Sequence, residues 1–303
     1  MRRITRAVRG FSFMDNRRYW FIFSGALIVI GLVSLVVQGL NLGVDFTGGS
    51  VLELDYSSPV TSAQVEEVLA DFDEMSGHQV LRIGDADSPI IRIKSPAIPD
   101  GEDREQLYAA LDEIGDYEIS SMDMVSPVIG RELTRSGLTA LAVALVGMVI
   151  YITVRFQFRF AATAVVTLVH DSLITLGLFS LLRVEVDQAF IAAILTIVGY
   201  SVNDTIVVFD RIRENLRYRG RGELLSGLVD KSIQQTLARS LITSITTFAA
   251  VAGIYLFGGV SIKNFTFALM LGIVVGTYSS IFVASPIWVT WSEKRPSRST
   301  SRT

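Results

Sequence analysis

Asp204 is the residue of this chain whose position most needs a chemical explanation. It lies in VGYSVNDTIVVFDR (198–211), a segment that otherwise has the composition of a membrane-spanning helix. A charged side chain at the centre of such a helix costs roughly 2.5–3.5 kcal/mol on insertion scales, so it is usually retained for pairing or for moving ions. Three further ionisable residues lie in neighbouring apolar segments: His170, Asp171 and Arg239. Proton or ion transfer is the chemistry that this set suggests.

These residues belong to polar stripes with helical spacing. The stripes are Thr163, Thr167, His170, Asp171 and Thr175 in the third apolar segment, Thr196, Tyr200, Asn203 and Asp204 in the fourth, and Arg239, Thr243, Thr246 and Thr247 in the fifth. The sixth segment instead carries Gly272, Gly276, Ser279 and Ser280, small residues that permit close helix contact.

The depth of Asp204 can be estimated from its distance along the helix. It lies six residues before Asp210 and Arg211, where the fourth segment should reach the cytoplasm, and is therefore roughly 9 Å inside that boundary. Arg239 begins the fifth segment on the same side and has a side chain long enough to reach inward. We therefore predict an Asp204–Arg239 pair, with Asp171 nearer to mid-depth.

The residues alone leave two interpretations of the stripes open. They could be structural, holding helices together through one ion pair and several hydroxyl hydrogen bonds. However, hydrogen bonds between membrane helices average only about 0.6 kcal/mol, which does not obviously offset three buried ionisable sites. The alternative, a proton or ion pathway, is favoured on that ground.

Enzymatic and metal-dependent functions are not indicated. The chain has no G-x-x-x-x-G-K-[ST] loop for nucleotide phosphates, and GYSVN is not the G-x-S-x-G elbow of a nucleophilic serine. An aspartyl dyad needs two carboxylates that share a proton, whereas the sequence places Asp171 and Asp204 on different segments at different depths. There is no cysteine, and the acidic residues lack the spacing of a calcium loop. We expect no enzymatic activity, no cofactor and no metal site.

The composition is that of a polytopic membrane protein. The chain is 50% hydrophobic and only 19% charged, with a mean hydropathy of +0.45, whereas soluble domains are about 25% charged. The first apolar run is longer than the core of a signal peptide, and no A-x-A cleavage site follows it. We therefore expect it to be retained as a membrane anchor. Six stretches are long enough to cross a core of about 30 Å: 19–40, 137–154, 161–182, 188–208, 240–257 and 265–291.

The distribution of Lys and Arg predicts that both termini, 1–18 and 293–303, face the cytoplasm. With the N-terminus inside, 19 of the 27 positive residues fall in inner segments. Six of the other eight lie in one domain that is too long to obey the positive-inside rule. The short loop RFQFR (155–159) then lies inside.

Residues 41–136 form the one long polar segment, with 20 acidic and 6 basic residues and hence a net charge of −14. Alternation predicts strands at 51–57, 79–83, 89–94 and 117–125, with a turn at GDADS (84–88). Amphipathic periodicity predicts helices at 61–72 and 103–114. The order β-α-β-β-α-β is that of the ferredoxin-like unit. We expect this α+β domain outside the membrane, between the first two of six transmembrane helices, and a five-helix domain at 137–292.

The motifs of the chain resemble those of the SecF family, in the SecD/SecF branch of the RND superfamily of transporters. The resemblance covers residues 10–292 in family order. Its motifs are NLGVDFTGGS (41–50), VSPVIGREL (125–133), HDSLITLG (170–177), VGYSVNDTIVVFDRIRENLR (198–217) and RSLITSITT (239–247).

This resemblance implies a subunit of a bacterial inner-membrane complex that uses the proton-motive force to promote protein export on the periplasmic side. The implied partners are SecD, the SecYEG translocon, YajC, translocating unfolded preproteins and, indirectly, the ATPase SecA. Asp204 matches the fourth-span Asp implicated in proton transfer, and Arg239 matches the Arg that gates it. The remaining residues that the resemblance selects are His170, Asp171 and Asn203 in the spans, and the motif residues Asp45, Gly48, Gly49, Asp210 and Arg211.

Two other functions share some of these features. Half of a small-molecule exporter of the same superfamily would carry similar spans, although about 95 outer residues leave little room for a substrate cleft. A passive translocon scaffold would need the polar residues only for packing. The basic segment 211–225 is expected to face solvent or membrane lipids, and no nucleic-acid partner is expected.

Overall fold

The computed structural model describes residues 11–75, 77–84, 89–96, 98, 101–155 and 157–293. Within them the chain divides into two compact units, one formed by residues up to Asn41 and from Thr139 onward, the other by Leu42–Leu138. The predicted cytoplasmic arginines at 2, 3, 6 and 9, most of the predicted GDADS turn, Phe156 of the RFQFR loop and nearly all of the C-terminal tail lie outside the described residues.

The described helices and strands are numbered in chain order. The α-helices are α1 (Arg17–Gln38), α2 (Val44–Thr47), α3 (Ser62–Leu69), α4 (Glu102–Asp112), α5 (Pro127–Arg155), α6 (Phe158–Leu181), α7 (Gln188–Arg217), α8 (Leu225–Phe257), α9 (Lys263–Ser279) and α10 (Ser285–Glu293). The strands are β1 (Asn41–Leu42), β2 (Gly49–Tyr56), β3 (Gln79–Gly84), β4 (Pro89–Ser95), β5 (Tyr117–Val125) and β6 (Glu185–Val186). Short 3-10 turns lie at Asp73–Met75 and Val260–Ile262, and a π-helix lies at Ser280–Ala284.

Six helical segments are long and apolar enough to cross a membrane: α1, α5, α6, α7, α8 and the run of α9 through α10. This number confirms the prediction of a polytopic helical membrane protein, and these segments are called the first to sixth spans below. The first, second and fifth spans bury less than a fifth of their most apolar stretch within the chain, whereas the third, fourth and sixth bury about half. The core of this unit therefore lies among the third, fourth and sixth spans.

The fifth span is a longer helix than the hydropathy predicts. The predicted span begins at residue 240, whereas α8 begins at Leu225, so Arg239 lies inside a continuous helix and not at its start. The polar residues of the first turns do not end the helix, because apolar residues at helical spacing are buried between them. These buried residues are Leu228, Val229, Ile233 and Leu237.

The sixth span changes helix geometry in its second half. After α9 ends at Ser279, residues Ser280–Ala284 form a π-helix. Pro286 follows, and its ring nitrogen cannot donate the backbone hydrogen bond that an α-helix requires there. The Ser285 hydroxyl donates to the Ser280 carbonyl at 3.2 Å, one turn earlier. Single turns of π-helix inside α-helices occur frequently at functional sites.

Two glycines let the sixth span approach the fourth. A Cβ atom added at Gly272 would lie 2.2–2.6 Å from the Ile197 side chain, and one at Gly276 would lie 3.1 Å from the Ser201 Cβ. Since neither glycine has a side chain, the two backbones can come close together. This contact brings the sixth-span serines to the polar face of the fourth span.

The Leu42–Leu138 unit contains a four-stranded antiparallel sheet with the strand order β3-β4-β2-β5. Its main elements follow one another as β2-α3-β3-β4-α4-β5, which is the order of elements that the sequence predicts. Glu53 and Arg92 are opposite each other on β2 and β4 and form an ion pair at 2.6 Å. The core of the unit is formed by Leu52, Leu54, Tyr56, Val60, Val65, Leu69, Met75, Ile91, Ile93, Ile98, Leu107 and Leu111.

Helix α3, within the predicted helix at 61–72, begins with a capping box. The Gln64 backbone N–H donates to the Thr61 hydroxyl, and the Thr61 backbone N–H donates to the Gln64 side chain. This reciprocal pair satisfies two N–H groups that the helix itself cannot pair. With its start fixed, α3 turns Val65 and Leu69 into the core of the unit.

Candidate functional site

The Asp171 carboxylate is the centre of a buried hydrogen-bond cluster. It is 1% exposed, and its Oδ1 lies 2.8 Å from Nδ1 of His170. Its Oδ2 accepts hydrogen bonds from Ser201 at 2.5 Å and from Ser279 at 2.8 Å. Asp171 therefore joins the third, fourth and sixth spans, and both of its oxygens have partners.

Asp204 occupies a neighbouring buried position with fewer partners. It is 6% exposed, and its Oδ2 accepts a hydrogen bond from the Ser280 hydroxyl at 2.6 Å. The Ser240 hydroxyl of the fifth span lies beside the carboxylate without a well-aligned hydrogen bond of its own. Both oxygens of Asp171 are already bonded, whereas Asp204 has an oxygen that can still accept a hydrogen bond. This arrangement suits a group that gains and loses a proton.

The structure corrects the expectation that the two carboxylates lie at different depths. They bond to adjacent residues of the sixth span, Ser279 and Ser280, at the start of the π-helix. Ser201 lies three residues before Asp204, on the same side of the fourth span, and bonds to Asp171. Counting along single segments could not show this, because the relative height of the two acids depends on how the third, fourth and sixth spans pack.

No hydrogen bond among the described residues joins the two carboxylates to each other. Each is bonded to its own serine, so they do not form an aspartyl dyad that shares one proton. The five residues Asp171, Asp204, Ser201, Ser279 and Ser280 are called the acid–serine cluster.

The predicted Asp204–Arg239 ion pair is wrong. Within the part of the chain that the structure describes, Arg239 forms no ion pair, although it is near enough to act on Asp204 electrostatically. Consecutive residues of an α-helix point about 100° apart. Ser240 faces the buried cluster, so Arg239 is turned to the exposed side of the fifth span.

The same offset separates Asn203 from Asp204 on the fourth span. Asp204 is buried, whereas Asn203 is exposed, so the predicted single stripe is divided between two environments. The exposed members of the predicted polar stripes of the fourth and fifth spans are called the exposed polar face. Its members are Thr196, Asn203, Arg239, Thr243 and Thr246.

A second group of hydroxyls joins the last three spans. Tyr200 of the fourth span donates to Ser244 of the fifth at 3.1 Å, and Thr277 of the sixth donates to the same Ser244 oxygen at 2.6 Å. Tyr200 is thus the member of the predicted fourth stripe that contacts the fifth span. The third stripe is buried throughout, and its threonine hydroxyls donate to carbonyls of the preceding turn.

A polar cavity of about 750 Å³ lies between the C-terminal end of α7 and the N-terminal half of α8. Arg211 crosses this end of the two helices, donating to Gln235 and to Glu214 at 2.6 Å each. The charged residues of the lining are suited to water. They are Asp210, Arg211, Arg213, Glu214, Arg217 and Arg239.

The predicted motif residues Asp45, Gly48 and Gly49 lie in the Leu42–Leu138 unit, within and just after α2. Gly48 has φ 74° and Gly49 has φ 125°, values that favour glycine. A Cβ atom at Gly49 would also lie 2.7 Å from the Ser95 carbonyl oxygen. The backbone conformation at the start of β2 therefore accounts for the presence of glycine at both positions.

Sequence reasoning missed the serines that bond to the two acids. Ser279 and Ser280 were predicted only as small residues for helix contact, and Ser201 was not singled out. One signal was available, because Ser201 lies three residues before Asp204 and so shares its helix face. The adjacency of Ser279 and Ser280 to both acids depends on the packing of three spans.

Comparison with family models places the chain among known proteins. Residues 105–294 match the C-terminal region of the protein export membrane proteins SecD and SecF, and residues 33–60 match the GG motif of the same proteins. The "Protein translocase subunit SecF" of Acidaminococcus fermentans is 41% identical, over 95% of this chain and 99% of that protein. That of Vibrio alginolyticus is 42% identical, over 95% of this chain and 91% of that protein.

Longer relatives contain a counterpart of this chain as one part. The "Protein translocase subunit SecDF" of Bacillus subtilis is 40% identical over 92% of this chain, which corresponds to 38% of that protein. The crystal structure of SecDF from Thermus thermophilus, a translocon-associated membrane protein, matches with a TM-score of 0.83 and 34% identity, over 94% of this chain and 39% of that chain. The chain therefore belongs to the SecD/SecF family of protein export membrane proteins.

Proposed function

We propose that this chain is the SecF subunit of a SecD–SecF complex in the bacterial inner membrane and uses the proton-motive force to promote protein export. The relatives named as translocase subunits SecF support the export role. The acid–serine cluster carries the proposal for proton coupling, because it places two protonatable groups at the meeting point of three spans. A purely structural set of hydroxyls would not require either carboxylate.

The proposed coupling step is protonation of Asp204. Loss of its charge weakens its attraction to Arg239 and the hydrogen bond that it accepts from Ser280, so the π-helix of the sixth span is free to shift. One proton crossing 100 mV releases about 2.3 kcal/mol. That energy changes a two-state equilibrium roughly 50-fold, which is enough to bias a helix movement but not to drive a large one to completion.

The exposed polar face supports SecD as the direct partner. Asn203 is exposed in the central part of the fourth span, where a polar group facing lipid is costly, and Arg239 is exposed on the fifth span. A second membrane protein that offers polar groups would satisfy them. The relatives named SecDF support this pairing, since this chain corresponds to only 38–39% of their length.

The proposed orientation has both termini in the cytoplasm and the Leu42–Leu138 unit in the periplasm, where it acts on the emerging polypeptide. We propose a ferredoxin-like fold for this unit, supported by its strand order β3-β4-β2-β5 with α3 and α4 as the connecting helices. In this orientation the polar cavity opens to the cytoplasm and admits water to Arg239. The SecYEG translocon, YajC, SecA and an unfolded preprotein complete the proposed assembly.

The test replaces Asp204 with Asn, which keeps the shape of the side chain and accepts hydrogen bonds but does not titrate. Inner-membrane vesicles containing the variant and SecD should export a preprotein normally without a proton gradient, and a gradient should add nothing. The control Asp15→Asn makes the same chemical change at an exposed residue and should respond to the gradient like the wild type. A normal gradient response of Asp204→Asn would refute the role of Asp204 in coupling.

A further inference from the structure

The segment that precedes the first span is bound to the fifth span by one carboxylate. Asp230, in the first turns of α8, accepts a hydrogen bond from the Ser12 hydroxyl at 2.7 Å. Its other oxygen accepts from the backbone N–H groups of Phe13 and Met14 at 2.8 Å and 3.1 Å. These four residues are called the Asp230 clamp. Nothing in the proposed proton pathway requires this arrangement.

The clamp places an aromatic side chain on the π-helix of the sixth span. Phe13 is 3% exposed, and its ring centre lies 5.6 Å from that of Phe282, a π-helix residue. Trp20 covers the other side of this contact, with its ring 4.4 Å from Phe282 and its indole N–H donating to the Phe13 carbonyl at 3.2 Å. The N-terminal segment is therefore packed directly on the helical turn that begins with Ser280.

Ring contacts continue from Phe282 to the acid–serine cluster. Phe282 lies 5.3 Å from Tyr278, and Tyr278 lies 6.4 Å from the His170 ring, which is bonded to Asp171. The π-helix has a less favourable backbone geometry than an α-helix, so tertiary contacts must hold it in place. The Phe13–Phe282 contact is one such contact, and the Asp230 clamp fixes the position of Phe13.

We propose that Asp230 is a positioning residue: through Phe13 it holds the π-helix in the register that presents Ser280 to Asp204. This inference rests on the proposed coupling role of Asp204. Release of the clamp leaves Phe13 free to leave Phe282, and the π-helix then loses the support that keeps the Ser280 hydroxyl on the carboxylate. Export that depends on the proton gradient falls, while gradient-independent export does not.

Trp20 can report the state of the clamp directly. The chain has three tryptophans, so Trp288→Phe with Trp291→Phe leaves Trp20 as the one fluorophore of this type. In that background Asp230→Ala should shift the Trp20 emission toward that of solvent-exposed indole, whereas Asp15→Ala, at an exposed acid three residues from Ser12, should not. Asp230→Asn retains one oxygen for the two backbone N–H groups and should restore most of the wild-type emission. Unchanged emission in Asp230→Ala would overturn the clamp.

The functional measurement uses the chain with SecD in inner-membrane vesicles. The gradient-dependent part of export should fall at least threefold in Asp230→Ala and remain near wild type in Asp230→Asn. Phe13→Leu, which keeps an apolar side chain but removes the ring, should cause a similar loss, and the double variant should be no worse than either single variant. Independent, multiplying losses would overturn the proposal, because the two residues would then act separately.

The outcomes separate this inference from the proposed function. If Asp204→Asn removes the gradient response and Asp230→Ala does not, Asp230 is not a positioning residue while the coupling role of Asp204 stands. If Asp204→Asn keeps the gradient response, the coupling proposal fails and the positioning proposal fails with it. Loss of gradient-independent export in both Asp230→Ala and Phe13→Leu would show a general folding role instead.

Discussion

The acid–serine cluster and the exposed polar face share the fourth span but satisfy their polar groups in different ways. On the fourth span Asp204 faces the cluster while Asn203 faces outward, and on the fifth span Ser240 and Arg239 divide in the same manner. In the cluster each carboxylate has a serine partner from another span of the same chain. Both buried carboxylates therefore have partners within this chain, whereas Asn203 and Arg239 on the outward side require water or a partner.

This difference predicts which substitutions lower the stability of the isolated chain and which affect only its complex. Substitutions in the cluster remove hydrogen bonds that the isolated chain makes, so they should lower its free energy of unfolding. Substitutions of Asn203 and Arg239 on the exposed polar face remove no side-chain hydrogen bond found among the described residues and should affect only the complex. The following variants test that separation, beginning with the largest expected effect on stability.

Replacement of Asp171 by Ala should have the largest effect. It leaves His170, Ser201 and Ser279 without their shared acceptor in a buried site, where removal of one member of a charged network costs about 3–5 kcal/mol. The loss of stability is measured by thermal unfolding in detergent micelles, with Asp15→Ala as the control at an exposed residue. A stability loss below about 1 kcal/mol would show that water enters the cluster and takes the place of the carboxylate.

Gly272→Ala should be the next most damaging change. The added methyl group would overlap the Ile197 side chain at 2.2–2.6 Å, and forced overpacking costs about 1–3 kcal/mol. Because the same contact brings the sixth span to the fourth, gradient-dependent export should fall as well. The matched control is Gly253→Ala on the fifth span, where a Cβ meets nothing within 4 Å and stability should rise by about 0.5–1 kcal/mol. Equal stability of the two variants would contradict the close packing of these spans.

Arg239→Lys should leave unfolding of the isolated chain within about 0.5 kcal/mol of the wild type, as expected for an exposed side chain. Gradient-dependent export should nevertheless fall severalfold, since a compact ammonium group cannot reproduce the planar donor geometry of guanidinium. Export by the complex with SecD is measured beside the unfolding of the chain alone. Wild-type export by the Lys variant would favour a passive scaffold, for which a positive charge is sufficient.

Ser280→Ala should cause a small loss of stability, about 0.6 kcal/mol, the average for a hydrogen bond between membrane helices. The expected loss of gradient-dependent export is larger than this energy suggests, because Asp204 then has no hydroxyl donor from the π-helix. Ser285→Ala is the matched control: it removes a serine hydroxyl from the same span without touching either carboxylate. Similar export by both variants would mean that the Ser280–Asp204 bond is not part of coupling.

Much of the fold could be predicted because it depends on local properties of the sequence. The six apolar lengths identify the spans, and the Thr and Ser residues at 61–62 with the following Glu residues indicate the start of α3. The fifth span was the exception, since hydropathy does not register the amphipathic turns between Leu225 and Ser240. The π-helix also escaped prediction, although Pro286 marks where a regular α-helix could not continue.

The sequence by itself determined which ionisable residues enter the membrane spans and which family the chain resembles. Those features depend on residue type and on distance along the chain. The tertiary structure decided which side chains meet: Asp204 with Ser280 and not with Arg239, and Asp171 with serines from two other spans. The physical reason is that adjacent helical residues point about 100° apart, so the rotation of each helix selects its inward side chains. That rotation is set by contacts such as Gly272 against Ile197, which join residues 75 positions apart in the sequence.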